Sequence, residues 1–254
     1  MDLFNIIILS LIQGITEFLP ISSSAHLVLV SEFSTFPDQG LGFDIALHAG
    51  SLLAILIYFR DEIKKILFLT RDGRQYFRLL IIASIPLPII GFIFIDYISI
   101  YMRNIHSIAI MTILFALLLY FADRESKRSR DLLTCSTAVL IFIGLMQSLA
   151  IMPGVSRAGI VITAALLVGF NKTESIRISF LLSIPAIFMA STYQIVQLTR
   201  SSDTVFLQEY SLGFLLSFIF SYLTIKVFIS TINHITFSPY IIYRIILGTS
   251  LLII

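Results

Sequence analysis

Two apolar stretches in this chain are too long for a single membrane crossing, and each is broken by proline beside small polar residues. The first runs Leu3–Leu19, then Pro20-Ile21-Ser22-Ser23-Ser24, then Ala25–Val30. The second runs Leu132–Met152, then Pro153-Gly154-Val155-Ser156-Arg157, then Ala158–Phe170. Proline removes a backbone donor and restricts the residue before it. In lipid such a break survives only where other protein or a water-filled cavity satisfies the freed backbone groups. Both stretches are therefore read as helix–break–helix hairpins that enter and leave on one side. Six further runs have the length of a full crossing: Leu41–Tyr58, Leu79–Tyr97, Ile105–Ala122, Ile176–Leu198, Leu212–Ser230 and Pro239–Ile254. With 57% hydrophobic and 13% charged residues, the surplus apolar surface has to face lipid. Asp2 precedes the first run where a secretory signal would carry Lys or Arg, so no signal peptide is expected.

The charges arrange these elements. Basic residues gather in Arg60–Arg78, in Asp123–Asp131, and at Lys172 and Arg177. By the positive-inside rule these loops are cytoplasmic, and the connections Ser31–Gly40, Ile98–Asn104 and Thr199–Ser211 lie outside. The second and third basic segments share a side only if 132–170 is re-entrant. The spacing Pro20-x-x-Ser23 recurs 133 residues later as Pro153-x-x-Ser156. The same shift carries each span of the first half onto one of the second. The expected fold is an all-α polytopic membrane protein of one domain. It is built from two inverted repeats, about residues 1–130 and 131–254. Each repeat is one re-entrant broken-helix hairpin plus three transmembrane helices. Such repeats place the functional site near the midplane, where the breaks meet.

The breaks carry the chemistry. Gln13 and Glu17 share a helix face, and an ionisable group inside a membrane segment marks function by default. Ser22 to Ser24 add hydroxyls, and His26 follows within a helical turn. This tip holds the groups needed to bind a metal, attack as a nucleophile and move a proton. The second tip opens a helix with Gly154, Ser156 and Arg157, a setting that suits phosphate oxygens. Arg157 is read as the only Arg or Lys far from a predicted interface. The bland alternatives are a structural ion pair between Glu17 and Arg157, and a packing role for Ser24 and Gly159. His48 is read as a hydrogen-bonded packing residue, His106 and His234 as interfacial, and Cys135 as a packing residue.

At these two motifs the chain resembles the undecaprenyl-diphosphate phosphatase family of the bacitracin-resistance type. The resemblance runs through Gln13 to Glu17, then Phe-Leu-Pro-Ile-Ser-Ser, and through Pro153 to Gly159. Phe43–Leu56 and Arg177–Ile187 are similar too. It implies hydrolysis of a C55 polyprenyl diphosphate to the monophosphate and inorganic phosphate. That reaction recycles the lipid carrier of cell-wall synthesis and confers bacitracin resistance. It implies Glu17, Ser23, His26 and Arg157 as catalytic residues, and Ser22, Gly154, Ser156 and Arg157 as phosphate-binding. A divalent metal, Mg²⁺ or Ca²⁺, is implied at Gln13 and Glu17. The expected partners are the lipid diphosphate and the bilayer, with a homodimer left open and no nucleic acid. The expected location is the plasma membrane, with the active site opening outward. Ala25, Ala158 and Val161 depart from the family's frequent Gly, Ser and Thr. The attacking group is Ser23 or a water activated by His26 or Glu17. The competing reading is a polyprenyl-phosphate flippase or anion transporter, which needs the anion cradle but has less use for a carboxylate beside it.

Overall fold

A computed structural model describes residues 2–23, 26, 40–125, 130–198, 207–232 and 236–253. Among these residues every regular element is helical: α1 Leu3–Thr16, α2 Gly40–Tyr58, α3 Arg60–Leu67, α4 Arg71–Ser84, α5 Pro86–Tyr101, α6 Ile105–Glu125, α7 Thr137–Ser148, α8 Arg157–Leu167, α9 Lys172–Leu198, α10 Leu207–Thr231 and α11 Ser238–Ile253. Five stretches have the length and hydropathy to cross a membrane: Gly40–Tyr58, Arg71–Tyr101, Ile105–Arg124, Lys172–Leu198 and Leu207–Thr231. Their outward faces carry large apolar side chains such as Phe92 and Val227, a surface that only lipid or another apolar partner accommodates.

Three expectations need correction. The segment 60–78 is not a loop: its charges sit on α3 and the first turns of α4, where Thr70 caps the helix by accepting from the Gly73 N–H. The second span is accordingly longer than expected and extends through Tyr101, leaving Met102–Asn104 as the connection. The last expected span is the 16-residue α11. At 1.5 Å per residue it is roughly 24 Å long, short of a full hydrocarbon core of about 30 Å. Ser24, Ala25, His234 and the expected outer connections around 31–39 and 199–206 lie outside the described residues.

Around the second break the chain folds as a helical hairpin whose two ends meet. The Arg130 backbone N–H donates to the Gly169 carbonyl at 3.0 Å, and Arg130 Nε donates to the Val168 carbonyl at 2.7 Å. The residue just before the hairpin thus meets the residues just after it. α7 has 12 residues and α8 has 11, so each limb spans roughly half the hydrocarbon thickness. The basic segments gather at that same end. Lys172 pairs with Asp123 at 3.0 Å, and Arg177 pairs with Glu62 at 2.7 Å.

Small residues let the long helices approach. α2 packs along α10, with hydroxyls laced between them: Ser217 donates to the Leu47 carbonyl at 2.7 Å, and Ser221 donates to Ser51 Oγ at 2.9 Å. A Cβ added at Gly50 would lie 2.3 Å from the Phe214 carbonyl oxygen, so the backbones touch where only hydrogen fits. Gly50→Ala is expected to force α2 and α10 apart at a cost of about 1–3 kcal/mol, the usual range for overpacking. A lowered melting temperature in detergent is the predicted readout, and an unchanged one would contradict the contact. Phe18, just past α1, packs edge-on against Phe180 of α9 with ring centroids 5.4 Å apart. Both rings are fully buried, which pins the first break to the centre of the protein.

Candidate active site

The α1 ladder continues one step beyond Thr16: the Glu17 N–H bonds the Gln13 carbonyl at 3.0 Å. The chain then turns through Pro20 to Ser22, whose φ of 76° lies in the left-handed region. The second tip has a matching feature. Gly154 and Ser156 have φ of 91° and 69°, and Ser156 Oγ caps α8 by accepting from the Gly159 N–H at 3.1 Å. A non-glycine residue held at positive φ costs on the order of 1–3 kcal/mol, so both tips are strained where they meet.

Glu17 and Arg157 join the tips. Arg157, the first residue of α8, donates from Nη2 to Glu17 Oε1 at 2.8 Å and from Nη1 to the Ser179 carbonyl at 3.1 Å. Ser23 Oγ donates to Glu17 Oε2 at 2.8 Å, and Gln13 Nε2 reaches the same oxygen at 3.2 Å. Glu17 is 8% exposed and Gln13 fully buried, so this carboxylate is held by three donors away from bulk water. Glu17, Ser23, Arg157 and His48 line the polar end of a cavity of about 490 Å³. The other end is apolar, with Pro88, Phe92 and Ile95 of α5 facing Ile187 and Tyr193 of α9. A polar pocket that continues into an apolar slot between two membrane helices suits a headgroup with a hydrocarbon tail.

Not every expected residue reaches the cavity. His26 turns away: Nδ1 lies 2.6 Å from the Ser22 carbonyl, and Nε2 hydrogen-bonds the Tyr243 hydroxyl, on which the ring also stacks. Ser22, Gly154 and Ser156 sit behind the cavity wall rather than in it. The Gly154 carbonyl accepts from Arg244 Nη2 at 3.0 Å, and a Cβ at Gly154 would lie 2.5 Å from the Ile108 carbonyl oxygen. Thr163 is spent on the Gly159 carbonyl at 2.7 Å.

Two residues have contacts that the sequence does not reveal. His48, expected as a hydrogen-bonded packing residue, does bond the Asp44 carbonyl at 2.8 Å, and its Nε2 also lies 4.0 Å from Glu17 Oε2 in the cavity wall. Arg157 is also not the only cation remote from the interfaces. Arg244 is fully buried in α11 and donates to the carbonyls of Pro20 at 3.3 Å, Gly154 at 3.0 Å and Val155 at 3.0 Å. It therefore holds both breaks from behind. An Arg within an apolar helix was the available signal.

The fit of a divalent cation can be judged from the donors. Among the described residues no three of His, Cys, Asp and Glu cluster. Gln13, however, faces the Glu17 carboxylate with Nε2 at 3.2 Å, and its Oε1 is buried without a hydrogen-bond partner. An amide oxygen and a carboxylate fit a hard cation that takes its remaining ligands from substrate phosphate.

The model of the bacitracin resistance protein BacA family matches residues 6–250. The undecaprenyl-diphosphatase of Teredinibacter turnerae is 44% identical over 262 residues, covering 100% of this chain and 99% of the relative. Undecaprenyl-diphosphatase 1 of Pseudoalteromonas translucida is 41% identical, covering 100% and 98%. The undecaprenyl-diphosphatase of Campylobacter concisus is 43% identical, covering 99% and 98%. With its two breaks, its buried carboxylate–guanidinium pair and a match along nearly its whole length, this chain belongs to the BacA family of bacitracin resistance proteins.

Proposed function

We propose that this chain is a membrane phosphatase that hydrolyses undecaprenyl diphosphate to the monophosphate and inorganic phosphate. The reaction recycles the lipid carrier of cell-wall synthesis and so underlies bacitracin resistance. The observation that carries the reading is the hydrogen-bonded chain Arg157–Glu17–Ser23 at the polar end of an apolar cavity, in a BacA-family protein. The diphosphate lies at that end, and the prenyl chain runs into the slot between α5 and α9. Arg157 receives the terminal phosphate, its planar fork matching two phosphate oxygens, and the N-terminal end of α8 adds positive potential. Ser23 is the nucleophile. Its hydroxyl already points its proton at Glu17 Oε2, so Glu17 accepts that proton as Oγ bonds to the terminal phosphorus. The bond from that phosphorus to the bridging oxygen breaks, and the lipid monophosphate leaves. Water then cleaves the phosphoserine, releasing inorganic phosphate. A divalent cation, Mg²⁺ or Ca²⁺ by resemblance, would be held by Gln13 and Glu17 and would neutralise phosphate charge. His26, engaged by Tyr243, and Ser22 belong to the shell that fixes the first tip, and Gly154 and Ser156 to the shell that fixes the second.

The same proposal places the protein in the plasma membrane with the basic end in the cytoplasm and the cavity opening outward. The pairing of all three basic segments at one end supports it. The inverted relation of the two halves is part of the proposal as well. The packing of α1 on α10, and of α7 on α4 and α5, supports it. A pure carrier would have no use for a serine hydroxyl aimed at a buried carboxylate. Ser23→Ala is expected to lower phosphate release by about 10³-fold or more, the scale of a lost nucleophile. Release near the wild-type rate would exclude Ser23 and leave a water as the attacking group.

A further inference from the structure

Glu17 uses its two oxygens differently. Oε1 is taken by Arg157, whereas Ser23, Gln13 and His48 all converge on Oε2. His48 approaches with a defined ring orientation. Its Nδ1 lies 2.8 Å from the Asp44 carbonyl, which can only accept, so Nδ1 carries a proton and Nε2 is the ring atom turned to the cavity. Nε2 faces the carboxylate oxygen Glu17 Oε2 at 4.0 Å. The separation is too long for a direct hydrogen bond, which needs about 2.7–3.2 Å. It suits two donor atoms on opposite sides of one ion, each about 2.0–2.2 Å from it.

Gln13 is a second, independent pointer. It is fully buried, and its Oε1 has no partner. Its amide is oriented with nitrogen towards Glu17. Turned over, the amide would set its oxygen beside Oε2, which is favourable only with a cation between the two. A ring nitrogen bonded to a backbone carbonyl is also how metal-ligating histidines are usually fixed in orientation.

We propose that His48 Nε2 is a ligand of the catalytic divalent cation together with Glu17 Oε2 and Gln13 Oε1, and that the site prefers a first-row transition ion such as Mn²⁺ over Mg²⁺ or Ca²⁺. This rests on the divalent-cation reading of the site given above, and adds a nitrogen donor to it. Mg²⁺ and Ca²⁺ take oxygen ligands, whereas imidazole suits the softer divalent ions, so a mixed nitrogen–oxygen set shifts the preference.

The test is pulsed electron paramagnetic resonance on the purified full-length protein loaded with Mn²⁺, with and without inorganic pyrophosphate. The expected result is nitrogen-14 modulation from one directly bound imidazole, present in wild type and in His26→Gln. It is lost in His48→Gln, whose Mn²⁺ dissociation constant rises about tenfold or more. Labelling wild type with nitrogen-15 histidine should replace the modulation by the nitrogen-15 pattern, which tests the assignment without any variant. The proposal is overturned if Mn²⁺ does not bind, if bound Mn²⁺ shows no nitrogen coupling, or if the coupling survives in His48→Gln. Phosphate release on the same samples separates the two readings. Release without a nitrogen signal removes the His48 assignment and leaves the phosphatase; a signal without release supports the assignment and removes the phosphatase.

Discussion

Arg157→Lys lowers phosphate release from the lipid diphosphate by about 10²-fold or more while leaving the fold intact. The side chain makes two contacts that set this expectation: Nη2 to Glu17 Oε1 at 2.8 Å and Nη1 to the Ser179 carbonyl at 3.1 Å. Lysine keeps the positive charge beside Glu17, so no buried carboxylate is left uncompensated. What it loses is the planar fork, which can hold Glu17 and Ser179 on one edge and still present donors to phosphate. Removing a single preorganised donor to developing charge typically costs about 10²–10³ in rate. Arg157→Ala should be worse on both counts, because the unpaired Glu17 adds a stability loss of about 3–5 kcal/mol. The informative comparison is Glu17→Gln with Arg157→Ala in one chain. If the pair is only structural, the double variant should recover stability and activity together. If the pair is catalytic, stability recovers and release does not.

The second large effect is on stability. Arg244→Met is expected to lower the melting temperature by roughly 10 °C or more, and release with it. Arg244 supplies donors to three carbonyls, one from the first break and two from the second. Lipid offers these groups no substitute for water. Each buried polar group left without a partner costs about 1–3 kcal/mol, and a domain of this size loses about 2–4 °C per kcal/mol. Removing the buried charge returns part of its desolvation cost, which keeps the net loss below the sum of the three bonds. The carbonyls at issue are those that break both hairpins, so the expected damage is to the junction of the tips. Arg244→Lys should recover only part of the loss, since one ammonium cannot reach three carbonyls as a guanidinium does. A melting curve for Arg244→Met that overlays wild type would remove Arg244 from this role.

Much of this architecture was readable before any coordinates, because lipid imposes simple demands. A run of about 20 apolar residues spans, and a proline among small polar residues inside such a run breaks it where protein must repair the backbone. Those demands located α2, α6, α9 and α10 and both tips, and they drew attention to Glu17, Ser22 to Ser24, His26 and Arg157; the family resemblance narrowed the serines to Ser23. They do not speak about contacts between distant elements. His48 reaches Glu17 from a different helix, and nothing in the run Asp44-Ile45-Ala46-Leu47-His48 says which face meets the first break. His26 is close to Ser23 in sequence, yet the left-handed turn at Ser22 sends its ring to Tyr243 of α11. Arg244 was overlooked because it is one charge in a run otherwise read as a span. The dense charges of 60–78 suggest a loop, whereas Asp61 and Glu62 in the first turn of α3 and the Thr70 cap of α4 make helices of them.

If two broken helices form one hydrolytic site on a lipid diphosphate, phosphate release must need a residue from each tip. The most direct measurement is phosphate release by the purified, detergent-solubilised protein given undecaprenyl diphosphate, with and without divalent cation, beside Glu17→Gln and Arg157→Lys. Cation-dependent release is expected, falling about 10²-fold or more in each variant, with the melting temperature of Arg157→Lys near wild type and that of Glu17→Gln lowered by the unpaired Arg157. No release from a folded wild-type sample, or undiminished release from either variant, would contradict a hydrolytic site shared by the two tips.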